Sequence, residues 1–248
     1  MIERDVRITT PDGSMNAFVT HPEEQGPYPV VLFYMDAPGK REELHDMARR
    51  IGTVGYYVIL PNLYYRRVDE FVMTPESRSQ MVGHMNSLSN AMVCEDTRAM
   101  LQFVETQDAA ADGPVGTVGY CMSGPFVFAA AAAFPERIAA AASLHGVRLC
   151  TEAEDSPHRA AAAVKAELYF GCAETDEWAP AEMIDALDDH LRAAGANYRI
   201  ETYPQTAHGF VFPGRDGVYH KAAAERHWER LFALFARNLE KAPSAQAA

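Results

Sequence analysis

The feature that most constrains this chain is a set of short, continuously apolar runs separated by stretches of helical period. Val30-Val31-Leu32-Phe33 and Tyr57-Val58-Ile59-Leu60 show no polar alternation, so each reads as a strand buried on both faces of a parallel sheet. β-Rich runs recur at residues 6–10, 14–20, 28–35, 56–60, 115–120, 139–144, 166–170 and 198–203. Between them, Leu44, Met47, Ala48 and Ile51 stand at i, i+3, i+4, i+7. Met183, Ile184, Leu187 and Leu191 form a similar stripe ahead of Gly195, a residue suited to stopping a helix. Trp228, Leu231, Phe232, Phe235 and Leu239 form the last stripe. Such alternation specifies an α/β fold, with a mostly parallel central sheet of about eight strands and helices on both faces. The first two strands, joined by Pro11-Asp12-Gly13, read as an antiparallel hairpin at one sheet edge.

No Pro/Gly/Ser-rich linker and no repeat interrupts the pattern, so residues 1–240 read as a single domain and 241–248 as a disordered tail. Residues 61–90 are the least periodic interior part, either a partial cap over a site or an irregular connection. The Ala-rich stretches 129–133 and 160–163 read as tightly packed helix. A composition of 48% hydrophobic and 23% charged residues excludes a disordered, collagen-like or coiled-coil chain. With 22 basic against 34 acidic residues, the net charge of −12 lacks the footprint of a nucleic-acid binder. It would also be repelled by anionic lipid, and no run of about 18 apolar residues is present to span a membrane. The opening Met1-Ile2-Glu3-Arg4-Asp5 has neither a basic nor an apolar signal region, so a cytoplasmic protein is expected. Cys94, Cys121, Cys150 and Cys172 are widely spaced, as free thiols in a reducing compartment are. No zinc-type Cys or His spacing occurs, so neither a metal nor another cofactor is expected.

The strongest local signal is Gly119-Tyr120-Cys121-Met122-Ser123-Gly124, between a strand and the helical run Pro125-Phe126-Val127-Phe128-Ala129. A strand, a sharp turn and a helix with a nucleophile at the apex is the layout of a nucleophile elbow, here with Cys121 in place of serine. Small flanking residues leave room for a strained turn. The turn aims the Met122 amide and the helix N-terminus at the space above the sulfur, where they favour a thiolate and a developing oxyanion. Ser123 falls into the helix and fits the small-residue position after the apex. Asp176, with Glu174 as a second carboxylate, follows the strand 166–170, and His208 follows the next one. Nucleophile, acid and histidine, in that order and each at the C-terminal end of a strand, is the arrangement of α/β-hydrolases.

On these residues the chain resembles the dienelactone hydrolase family, over nearly its whole length. The resemblance rests on the G-Y-C-x-S-G elbow, the Asp-x-x-x-Pro of Asp176 to Pro180, and Ala207-His208-Gly209-Phe210. It implies an α/β-hydrolase fold with Cys121 as nucleophile, Asp176 as orienting acid and His208 as base. It further implies that Asp36, where the family usually has Glu, contacts the resting thiol, and that Ala37 is the second oxyanion donor after Met122. Arg78 and Arg215 lie in the neighbourhoods of the family's substrate-carboxylate arginines, with His145 and Tyr64 as further pocket candidates.

The expected activity is therefore cleavage of a lactone or activated ester through a thioester acyl-enzyme. A carboxylesterase or thioesterase of larger acyl groups, and a non-catalytic ligand-binding scaffold, are the alternatives. The expected partner is a small-molecule ester or lactone, without nucleic acid or membrane, on a monomer or homodimer.

Overall fold

The computed structural model describes residues 1–239; the tail 241–248 lies outside the described residues. Eight strands form one sheet: β1 (Ile2–Thr10), β2 (Gly13–His21), β3 (Val30–Tyr34), β4 (Tyr57–Pro61), β5 (Val115–Tyr120), β6 (Ile138–Leu144), β7 (Glu167–Thr175) and β8 (Tyr198–Ala207). Their order is β1-β2-β4-β3-β5-β6-β7-β8. β2 runs antiparallel to β1 and β4, and the remaining pairings are parallel. β3, β4 and β5 are buried along their whole length, as their unbroken apolar runs require.

Helices cover both faces. α1 (Glu42–Thr53), α4 (Gly124–Ala133), α5 (Ala181–Ala193) and α6 (Lys221–Asn238) correspond to the helical stretches of the sequence. β5 shows the layering. A side chain at Gly116 would meet Phe235 of α6, whereas one at Gly119 would meet Val127 of α4. An odd separation along a strand points to opposite faces, so the two helices sandwich β5. Arg50 of α1 pairs with Glu225 and lies over the Trp228 ring at 4.7 Å, which places α1 beside α6.

Two parts of the chain differ from the sequence expectation. The segment 61–90 holds a short helix, α2 (Arg78–Met85), with no buried residue, and α3 (Asn90–Val104) begins at its end. The alanines at 160–163 lie in a 3-10 turn, Pro157–Ala163, where only Ala161 among them is buried. Those alanines are tolerated at the surface and are not a packed helix. Ala130 and Ala131 of α4 are buried as expected.

The order of strands reverses at β3, between β4 and β5. Open parallel sheets bind ligands at the C-terminal edge of such a reversal. The candidate residues gather there.

Candidate active site

β5 delivers Cys121 to the top of the sheet. Cys121 has φ +53°, a left-handed conformation that a side-chain-bearing residue adopts only under constraint. The constraint is close packing on both sides. A Cβ at Gly119 would lie 2.6 Å from the Ser123 carbonyl oxygen, and one at Gly124 would lie 2.4 Å from Gly146 Cα. Glycine is needed at both positions for the turn to close. Ser123 is fully buried and its Oγ donates to the Met35 carbonyl, tying the elbow to the end of β3. Below the sheet Tyr120 Oη meets His227 Nε2 at 3.1 Å, and burial holds that histidine neutral, with its pKa lowered to about 3. Cys121 itself remains partly exposed.

The acid and the base arrive on neighbouring strands. Thr175 of β7 pairs with Ala207 of β8, after a register shift in which Pro204, Gln205 and Thr206 of β8 stand against Glu174 alone. The next residue on each strand, Asp176 and His208, therefore leaves the sheet side by side. His208 Nδ1 lies 2.8 Å from Asp176 Oδ2. The other oxygen, Oδ1, accepts the Trp178 and Ala179 amides at 2.9 and 3.2 Å, which fixes the carboxylate plane. Glu174 is exposed and accepts the Gln205 amide at 2.8 Å. Of the two carboxylates, only Asp176 reaches the imidazole. Burial alone would lower the pKa of His208, but hydrogen bonds to Asp176 and Cys121, and their charges, raise it to about 9. The three residues form one connected set.

Asp36 follows β3 and is fully buried, but both its oxygens are engaged by arginines. Arg41 binds it through both terminal nitrogens, and Arg215 Nη2 reaches Oδ2 at 3.2 Å. Both guanidiniums also lie over the Phe212 ring, at 5.4 and 4.7 Å. Arg215 packs against Gly209, directly beside His208. Arg41 carried no motif and was missed from sequence, because its role depends on Arg215 far along the chain. Arg78 is exposed at the start of α2, away from this cluster.

Tyr64 is buried and donates to the Ala37 carbonyl at 2.8 Å, with the Met122 sulfur at 3.3 Å. It thus joins the two residues expected to supply oxyanion donors. The Ala37 N–H has no hydrogen bond among the described residues. His84 of α2 stacks on Tyr64 at 5.1 Å, so the 61–90 segment leans against the site.

His145 ends β6 beside the elbow, at φ +38°, and is fully buried. Its ring lies 4.8 Å from that of His208, edge to face, and neither ring nitrogen has a partner among the described residues. Burial, with the neighbouring His208 and Arg215 charges, lowers its pKa well below the usual histidine range. His145 is therefore neither a pocket-lining side chain nor a hydrogen-bonded structural histidine. It is an uncharged aromatic packed behind His208.

A cavity of about 180 Å³ adjoins the elbow, with Met85, Leu88, Met122, Phe126 and Val147 among its walls and Arg148 at its rim. Cys121, Asp176 and His208 are not among its walls; Val147, which is, donates its amide to the Cys121 carbonyl at 3.1 Å.

Among the described residues no helix is long and apolar enough to cross a membrane. A family model described as "Dienelactone hydrolase family" matches residues 15–239. A protein of Methylorubrum extorquens named "Putative carboxymethylenebutenolidase" is 29% identical over 236 residues, covering 93% of this chain and 79% of that one. An Escherichia coli protein of the same name is 28% identical, covering 92% and 84%. A crystal structure from Klebsiella pneumoniae, titled as a "Putative Dienelactone Hydrolase", superposes with a TM-score of 0.85 at 26% identity, covering 95% of this chain and 98% of that one. With the elbow, the paired acid and histidine, and a match that runs from β2 to the end of α6, the chain belongs to the dienelactone hydrolase family, a family of lactone and ester hydrolases.

Proposed function

We propose that this hydrolase cleaves a small lactone or activated ester through a covalent thioester on Cys121. The observation that carries the proposal is the placement itself: a strained thiol at the elbow, near enough for its charge to raise the pKa of His208, which is bonded to Asp176 at 2.8 Å. The sulfur attacks the carbonyl carbon with its proton already held on His208, whose pKa stands at about 9. The Ala37 and Met122 amides hold the resulting oxyanion. The C–O bond breaks and the leaving alkoxide takes the proton from the imidazolium. A water then loses its proton to His208 and attacks the thioester, and the thiolate departs. Asp176 fixes the imidazole tautomer and stabilises its charged form throughout.

Arg215 is the sequence-predicted arginine in a position to meet an anionic substrate group. A substrate carboxylate would compete with Asp36 for it. The Asp36 charge is already balanced by two guanidiniums, so its expected hold on the thiol is weakened, and its main work is to keep Arg41 and Arg215 beside His208.

A substrate acyl group that enters the cavity beside the elbow must be small. About 180 Å³ is below the ~300–1,000 Å³ of typical small-molecule sites. Its apolar walls, Met85, Leu88 and Phe126, are the feature that favours the second reading, an esterase or thioesterase for longer chains. A p-nitrophenyl ester series separates the two. We expect kcat/KM to fall beyond a few acyl carbons, with lactones cleaved as well as the short esters; a series that rises with chain length supports the second reading instead.

A further inference from the structure

Cys150, His158 and His190 are distant in sequence and carry no metal-binding spacing, yet their ligand atoms lie within 4.8 Å of one another. Cys150 follows β6, His158 opens the 3-10 turn Pro157–Ala163, and His190 lies in the last turn of α5. The three share no part of the proposed Cys121 chemistry.

From this geometry we propose a zinc site, in which Cys150 Sγ and the Nε2 atoms of His158 and His190 bind one Zn²⁺. The donor set suits a borderline-soft ion that takes thiolate and imidazole together. Both imidazoles are oriented as zinc ligands commonly are, with one nitrogen engaged and the other free. His158 Nδ1 bonds Ser156 Oγ at 2.8 Å, and His190 Nδ1 bonds the Ala186 carbonyl at 2.8 Å, so in each ring Nε2 is the nitrogen left to bind an ion. The rings meet edge to face at 4.5 Å. Ser156 Oγ also accepts the Thr151 amide at 3.0 Å, which fixes the chain directly after Cys150. Tetrahedral coordination at the usual bond lengths puts donor atoms about 3.3–3.7 Å apart. The cluster therefore needs only a small closure, which exposed His190 on its helix can supply.

Three protein donors leave one position for water or for a carboxylate, and Glu152 is near enough for its charge to act on both Cys150 and His158. The solvent-facing side opens onto a surface groove lined by His158 and His190, which gives the ion a path in. A bound ion would clasp the 145–157 loop to α5. That loop walls the cavity beside Met122, and α5 starts just after Asp176. The clasp therefore bears on the stability of the site's frame without touching substrate.

The test uses full-length, metal-free protein carrying Cys121→Ala, so that the elbow thiol adds no signal. Titration with Co²⁺ should give one equivalent bound, with a thiolate-to-cobalt charge-transfer band, and Zn²⁺ should displace it and raise Tm. Cys150→Ser should abolish the band. His190→Ala, a change at an exposed position, should weaken binding by at least about 10- to 100-fold. If the parent shows no band and no Tm rise with Zn²⁺, or if Cys150→Ser and His190→Ala bind as tightly as the parent, the proposal is overturned.

Discussion

At the residue scale, two carboxylates are candidates for the proposed orienting role, and only one of them bonds the imidazole. Glu174 and Asp176 leave the same strand end, but Glu174 accepts the Gln205 amide while Asp176 bonds His208. Asp176→Asn should leave the fold intact and lower kcat by about 10³- to 10⁴-fold, because the imidazole loses the partner that fixes its tautomer. Glu174→Gln should leave kcat unchanged. Steady-state kinetics of both variants check the assignment, and equal losses would contradict it. That Cys121, Asp176 and His208 each stand at the end of a strand was legible in the sequence. The fate of Asp36 was not, because its two arginines come from separate parts of the chain, and no local pattern announces that Arg41 and Arg215 converge. The surroundings of His145 were hidden for a related reason: only the packed structure shows that its ring backs onto His208.

At the scale of elements, all eight strands were legible, since apolar runs bounded by turn residues survive any detail of packing. α3 was not. Its buried face carries Asp96 and Thr97 amid Val93, Met100 and Val104, so the apolar stripe is broken by polar residues. Asp96 is buried only because Arg66 binds it at 2.7 and 2.8 Å and Tyr65 donates at 2.8 Å, partners that lie some 30 positions earlier. Arg66 is accordingly an ion-paired residue, with little of its side chain exposed. The elbow depends on a different local rule, the absence of side chains. Gly124→Ala would push a methyl group against Gly146, at a cost of about 1–3 kcal/mol, or roughly 2–4 °C in Tm for each of these. Gly113→Ala, where a Cβ meets nothing within 4 Å, should leave Tm unchanged. Thermal melts of the two variants test whether close packing holds the turn, and equal Tm values would contradict it.

At the scale of the whole molecule, the buried His208–Asp176 pair ties stability to pH. The pKa of His208 rises from about 6.5 unfolded to about 9 folded, so the folded state binds the proton more tightly. Its stabilisation is fully present below about pH 6.5 and is lost as pH rises through about 9, a change of order 3 kcal/mol. In wild type, Tm should therefore fall over that interval, and His208→Gln should flatten the fall. An identical slope in the variant would mean that other groups govern the alkaline loss.

The proposed function rests on Cys121 as the residue that forms the covalent bond. The measurement that tests this most directly is intact-mass and peptide analysis of the enzyme quenched during turnover of a slow activated ester. One acyl group per chain, mapped to Cys121 and absent from Cys121→Ala along with nearly all hydrolysis, is the result expected. An acyl group on another residue such as Ser123, or full turnover by Cys121→Ala, would contradict the account.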